Sequence, residues 1–443
     1  MIERPAKSVS RRRVLKGAAA AASVGPFFHA PKAFSQEAIG NWPAGVSGDS
    51  VFVGVTSPLT GAYSADGADH LRGYQLAIEH LNGGGGLVGH ISTLKGNGVL
   101  GKKIDYKYAD TQLKPNVAVQ EQTTYITSNK AIMITGCVSS ATAIALEALA
   151  QRMHVLNMVG ASGADETTGA DCQRYGFRSQ PGAYMAAKAL TPTLGKLYGK
   201  NKKMIFLVPD YAYGHSVEHA TGTLTQQELD WKNLGSQVCP LGTTDYSSFL
   251  LNVANSGADI FINVCFGGDA VASCKQAKQF GVLDKMKMVV PNISAFQAQQ
   301  TGADIMGGVP GTMDFWWTLA EKNQAAKLFV DAFEKKFDAK PMWCAHIAYA
   351  QMIVWADAVE RAKSFDPVAV IKALEEGHKL AMPLGEVWYR ATDHQQVRDV
   401  PVVMGKKQSE MKNKDDYFEI IEMAPGPGLM PPDAGTCKLP GYT

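Results

Sequence analysis

At 443 residues, with 46% apolar and only 19% charged positions, the chain is too long for one small domain and too apolar for disorder, so about two cores are expected. Seven of the 43 Lys and Arg but only one of the 41 acids lie before Gln36, so the formal +2 becomes 36 basic against 40 acidic groups beyond it, a net of −4. That balance, with no long basic run, excludes nucleic acid as the expected partner and points to a small molecule or a protein.

The first 35 residues read as an address. Arg11-Arg12-Arg13 precedes the apolar run Gly17 to Phe28, and Ala33-Phe34-Ser35 offers a small-residue cleavage region before Gln36. Ser10 to Lys16 resembles the twin-arginine export pattern S-R-R-x-F-L-K, with Val14 in place of Phe. The apolar run is too short to cross a hydrocarbon core about 30 Å thick, and Gly17, Gly25, Pro26 and Pro31 argue against an Ala-rich helix of the mature domain. No later stretch approaches 18 unbroken apolar residues, so a soluble periplasmic chain is expected.

From Val51 onward strand and helix alternate. The patterns predict strands at 51–56, 104–108, 131–135 and 155–159, with helices over 67–81, 115–128, 141–152 and 184–198. A second series has strands at 204–209, 236–239, 259–264 and 288–291, with helices over 216–229, 247–255 and 270–280. Such alternation implies an α/β fold of two doubly wound parallel sheets. Later helices (322–337, 346–363, 367–376) and strand-like runs (385–389, 400–403) should complete one or both sheets, which makes the halves discontinuous in sequence. The Pro/Gly-rich stretch 424–443 has no period and reads as a tail.

Seven cysteines is an odd number, so at least one is unpaired. Cys137, Cys239, Cys265, Cys274 and Cys344 sit in apolar patterns as buried thiols. Cys172 and Cys437 lie in polar, Gly-containing turns, where a disulfide would pin the tail to the body. No Cys/His spacing suggests a metal, and no cofactor is expected.

Two runs match G-x-G-x-x-G by letter, Gly84 to Gly89 and Gly96 to Gly101. Neither stands between a strand and a following helix, so they read as one flexible helix-to-strand loop rather than a dinucleotide site. Gly160-Ala-Ser-Gly lacks the spacing of a nucleophile elbow, and nothing in the chain supports an enzyme. Polar turns do recur at the C-terminal ends of predicted strands, where parallel sheets bind ligands. They carry Tyr63 and Asp66 after the first strand, Ser139 and Ser140 before the Ala-rich helix, Gly160 and Ser162 after the next strand, then Tyr213, Phe266 with Asp269, and Asn292. Ser139 and Ser140 are expected to cap their helix while its free N–H groups hold a carboxylate. Phe315-Trp316-Trp317 reads as hinge or core packing, with one Trp able to reach a ligand.

Val53 to Ser64, Gly73 to Asn82 and Asp210 to Gly214, in that order, resemble the substrate-binding component of branched-chain-amino-acid-type ABC importers, a likeness spanning about 50–420. The resemblance implies two lobes joined by three hinge strands (48–178 with 312–388; 179–311 with 389–423) and a monomer that delivers its ligand to membrane permease subunits. It also implies Ser139, Gly160 and Ser162 on a ligand carboxylate and Tyr213 and Phe266 around its side chain. Asp66 falls where leucine-binding members carry an aromatic residue. Where those members hold the ligand ammonium with an acid, this chain has Asn292, which puts an ordinary α-amino acid in doubt. Asp66 or Asp269 could supply the charge instead, or the ligand is an amide or an organic or aromatic carboxylate. A secreted sensor subunit is the alternative reading, and a secreted hydrolase a more distant one.

Overall fold

The computed structural model describes residues 48–431 and 436–442. The Arg11–Arg13 signal and the Ala33–Ser35 cleavage region lie outside the described residues. Strands β1 (Ser50–Ser57), β2 (Lys103–Asp110), β3 (Met133–Val138), β4 (Leu156–Ala161) and β5 (Gly176–Arg178) form one parallel sheet in the order β2-β1-β3-β4-β5. All six residues of β3 and all six of β4 are buried, the pattern of central strands covered on both faces. Helices α1 (Ser64–Gly83), α2 (Pro115–Thr127) and α3 (Ser140–Met153) alternate with these strands. The two glycine-rich runs lie between α1 and β2, as a 3-10 turn (Gly86–His90) and a tight turn, neither of which opens a helix after a strand.

The second sheet begins in the same way. After α4 (Ala183–Tyr198), strands β6 (Lys203–Pro209), β7 (Lys232–Cys239), β8 (Ile260–Asn263) and β9 (Lys287–Val289) pair in parallel as β7-β6-β8-β9, with α5 (Ala212–Leu229), α6 (Ser247–Ala254) and α7 (Gly267–Gln279) between them. It then departs from the expected parallel pattern. A bridge between Asn292 and Thr312 joins the end of β9 to β10 (Pro310–Thr312). Three further strands follow, β11 (Leu380–Met382), β12 (Gly385–Tyr389) and β13 (Gln396–Val397), and then β14 (Val400–Gly405) and β15 (Phe418–Ala424). β10, β14 and β15 pair antiparallel; between β14 and β15 the 12-residue return contains no crossover helix that could restore a parallel direction. β12, expected to extend a main sheet, instead forms its own antiparallel sheet with β11 and β13, linked to β5 by the Arg178–Gln395 bridge.

Two apolar cores result. One gathers Val53, Phe177, Phe315, Tyr349 and Tyr389; the other gathers Phe206, Trp231, Phe261, Val402 and Phe418. The chain passes between them after Phe177, around Asp314, and between Tyr389 and Val400. All three passes meet one guanidinium. Arg398 donates to the Asp314 carboxylate (2.6 Å) and carbonyl (2.7 Å) and makes a longer contact to the Ser179 carbonyl (3.5 Å).

The described part of the tail is pinned. Cys172 and Cys437 form a disulfide, and Tyr442 lies under the Arg174 guanidinium. Cys137, Cys239, Cys265, Cys274 and Cys344 are buried thiols. Among the described residues no helix is long and apolar enough to cross a membrane.

Candidate ligand-binding site

The C-terminal ends of both parallel sheets converge on one cavity, of about 260 Å³ of empty space including its mouth. The first sheet supplies Tyr63 from the turn after β1 and Ser139 and Ser140 at the start of α3. The second supplies Tyr213 at the start of α5, Phe266 at the start of α7, and Asn292 after β9.

A local distortion sets the serines. Gly136 has φ +122°, and a Cβ there would lie 1.8 Å from the Thr56 carbonyl oxygen, so only glycine allows β3 to run that close to β1. Cys137 follows at φ +72°, a conformation uncommon for a side chain other than Gly, Asn or Asp, and the chain then turns into α3. The Ser139 hydroxyl does not cap α3 as expected; it makes no capping bond. The Ser140 hydroxyl accepts a hydrogen bond from the Ala164 N–H (3.1 Å), which leaves its proton free to donate.

The two halves touch across the cavity. The Gly268 N–H donates to the Ala62 carbonyl (2.8 Å), and the Tyr63 and Tyr211 hydroxyls are 3.0 Å apart. Phe266 meets Tyr63 and Trp343 edge-on, with ring centroids 5.3 and 5.4 Å apart. Gly267, at φ +56°, permits this approach: a Cβ would stand 2.5 Å from the Tyr63 ring. Burial, first of all, holds the Tyr63, Tyr211 and Tyr213 phenols well above their usual range, so the wall is neutral.

None of the lining residues is Asp, Glu, Lys, Arg or His. The two carboxylates that could have replaced a missing acid are engaged elsewhere. Asp66 accepts from the Trp343 indole N–H (3.1 Å), and Asp269 accepts from the Gly242 N–H (2.9 Å). Asp66 therefore stands behind the cavity, where it holds Trp343. Gly160 lies against the Gly136 and Cys137 carbonyls, and the Ser162 hydroxyl is bonded to Thr167 (2.7 Å), so these two also stand one layer back. Trp316 and Trp317 donate to the Phe418 and Asp415 carbonyls and do not line the cavity.

Two wall residues, Gln180 and Trp343, lie outside the turns read from the sequence. Tyr211 lies inside a turn that was recognised, but Gln180 follows a strand of only three residues, too short for a period, and Trp343 opens a helix (Trp343–Ala362) far along the chain. No signal in the sequence marks the last two.

Burial raises the Asp66 carboxyl to about 7, opposed by the Trp343 bond, and raises Asp69 to about 7, opposed by the Ala345 and Met342 N–H groups. A carboxyl with a raised folded-state pKa takes up protons on folding. Its contribution is most favourable at low pH and declines as pH rises from about 4 to about 7, by up to about 1.4 kcal/mol per pH unit. Asp66→Asn should therefore gain stability relative to wild type across that range, and the gap should stop growing above about pH 7. Urea denaturation of both proteins at pH 5, 6, 7 and 8 measures it; a pH-independent difference would refute the assignment.

A family model described as Periplasmic binding protein matches residues 50–410. Leu/Ile/Val-binding protein homolog 7 of Brucella suis is 27% identical over 352 residues, 75% of this chain and 84% of its own. A periplasmic binding protein from Burkholderia mallei superposes with a TM-score of 0.78 at 26% identity, over 86% of this chain and 96% of its own. A solute binding protein of an ABC transporter from Rhodopseudomonas palustris, solved in complex with 3,4-dihydroxy benzoic acid, superposes with a TM-score of 0.72 at 20% identity, over 86% of this chain and all of its own. The last likeness is one of fold.

Proposed function

This chain belongs to the periplasmic binding protein family, and from that premise we propose that it is the periplasmic receptor of an ABC importer for a small carboxylate that lacks an α-ammonium group. The observation that carries this reading is the neutral wall. Ser139 and Ser140, at the N-terminus of α3, line the cavity, and everything else around it is aromatic, aliphatic, small or an uncharged amide. An anion is stabilised by hydroxyls and a helix N-terminus without a cation. An ammonium enclosed there would meet only neutral acceptors such as Asn292. Its missing charged partner costs about 1.5–3 kcal/mol, or roughly ten- to a hundredfold in affinity.

Tyr63, Tyr213 and Phe266 would flank the ligand's ring or chain. Asp66, Gly160 and Ser162 would act from behind, Asp66 by fixing Trp343 and Ser162 by shaping the Ala161–Gly163 wall. We assign the lobes to 48–178 with 312–388 and 179–311 with 389–423; most of each core falls on one side of that division, while Tyr63, Val138, Ala161 and Trp343 around the cavity pack into the second core. Ligand contacts to both lobes would favour the closed arrangement, which docks as a monomer on permease subunits and reopens there, with no covalent step. The R. palustris neighbour supports the reading to the extent that its fold accommodates an aromatic acid.

Calorimetric titration of the mature protein with benzoate and with L-leucine tests it. Benzoate should bind at least about tenfold more tightly and be recovered unchanged. Tighter binding of leucine, or consumption of either compound, would overturn it.

A further inference from the structure

A second cavity, of about 20 Å³ of interior space, lies between α4, α5 and the start of β14. It adjoins the first, since Gly163, Gln180, Tyr213 and Asn292 line both. Much of its wall is apolar, from Pro181, Ala187, Val217 and Met313. Most of its polar side chains are already bonded: Thr312 donates to the Pro291 carbonyl (2.6 Å), and the Asp314 carboxylate receives Arg398 and His346. Two buried atoms have no partner, Gln180 Oε1 and Thr221 Oγ1, in residues only 4% and 1% exposed. Fifteen buried side-chain polar atoms among the described residues lack a protein partner, but these two are the ones whose residues line this cavity, where a bound ligand would satisfy them.

The chemistry of the pair is specific. An amide oxygen only accepts, whereas a threonine hydroxyl both donates and accepts. A hydroxyl on the ligand can donate to the first and accept from the second, and the apolar wall suits the carbons that carry it. The serines line the first cavity alone, so this group belongs to the end of the ligand remote from its carboxylate.

We propose that the second cavity is a specificity subsite, in which Gln180 and Thr221 select carboxylates whose far end bears a hydroxyl. This deepens the functional reading above and rests on it. The test titrates benzoate, 3-hydroxybenzoate and 4-hydroxybenzoate into wild type, Gln180→Met, Thr221→Val and Thr221→Ser. In wild type one hydroxybenzoate should bind about tenfold or more tightly than benzoate. That preference should fall to within about threefold in Gln180→Met and Thr221→Val and persist in Thr221→Ser, which keeps the hydroxyl. Thermal melts of the unliganded variants check folding, and the near-isosteric Thr221→Val serves alone if Gln180→Met does not fold. Benzoate binding with no hydroxyl preference, or a preference that survives both polar-to-apolar changes, would overturn the subsite while leaving the carboxylate receptor intact. Failure of all three acids where leucine binds would overturn the receptor reading itself.

Discussion

Arg398→Leu is expected to lose about 3–5 kcal/mol of stability, the usual cost of breaking a buried ion pair by removing one member. The Arg398 and Asp314 side chains are only 1% and 2% exposed, and the second carboxylate oxygen of Asp314 is 2.9 Å from His346 Nδ1. Without the guanidinium, the buried Asp314 side chain would keep only the His346 imidazole as a side-chain partner. The loss falls where the chain passes between its two cores, so the backbone carbonyls of Ser179 and Asp314 lose a donor as well. Chemical denaturation measures the change, and a double-mutant cycle tests the cause. Arg398→Leu with Asp314→Leu should cost clearly less than the sum of the two single changes, because the double variant leaves no uncompensated charge. Additive losses, or a loss for Arg398→Leu under about 1 kcal/mol, would show that the pair does not hold these passes together.

Ser139→Ala should weaken benzoate binding roughly ten- to a hundredfold, the worth of one charge-assisted hydrogen bond. The variant is clean because the Ser139 hydroxyl makes no capping bond in the protein itself, so the unliganded form should melt as wild type does. Ser140→Ala should weaken binding too, but also lower stability, since it leaves the buried Ala164 N–H unpaired at a cost of about 1–3 kcal/mol. Ser162→Ala is the contrast: its hydroxyl is committed to Thr167, and affinity should change by no more than about threefold. Equal losses for Ser139→Ala and Ser162→Ala would move the anion site deeper into the loop after β4.

Elements with a strong period were legible in the sequence. The run 204–209 became β6 (Lys203–Pro209), and the spacing at 184–198 became α4 (Ala183–Tyr198), because a strand covered on both faces and a helix with one buried face each leave a pattern in a single segment. β5 and β10 were missed, having only three residues each, and β15 was missed because its alternation is incomplete. The turns bearing Tyr63, Ser139, Tyr213 and Phe266 were found since ligand sites of parallel sheets gather at strand ends, a rule that needs only chain order.

By itself, then, the sequence determined the α/β alternation, the family and the set of strand-end turns, all of which are written in local periodicity and in the order of segments. The tertiary structure decided which of those side chains reach the cavity. Asp66 is turned from it by the Trp343 indole, Asp269 by the Gly242 N–H and Ser162 by Thr167, partners that lie from five to 277 residues away. A buried polar group takes whichever partner packing brings within hydrogen-bond reach, and that distance is set by how the halves fold against each other, which no local pattern records.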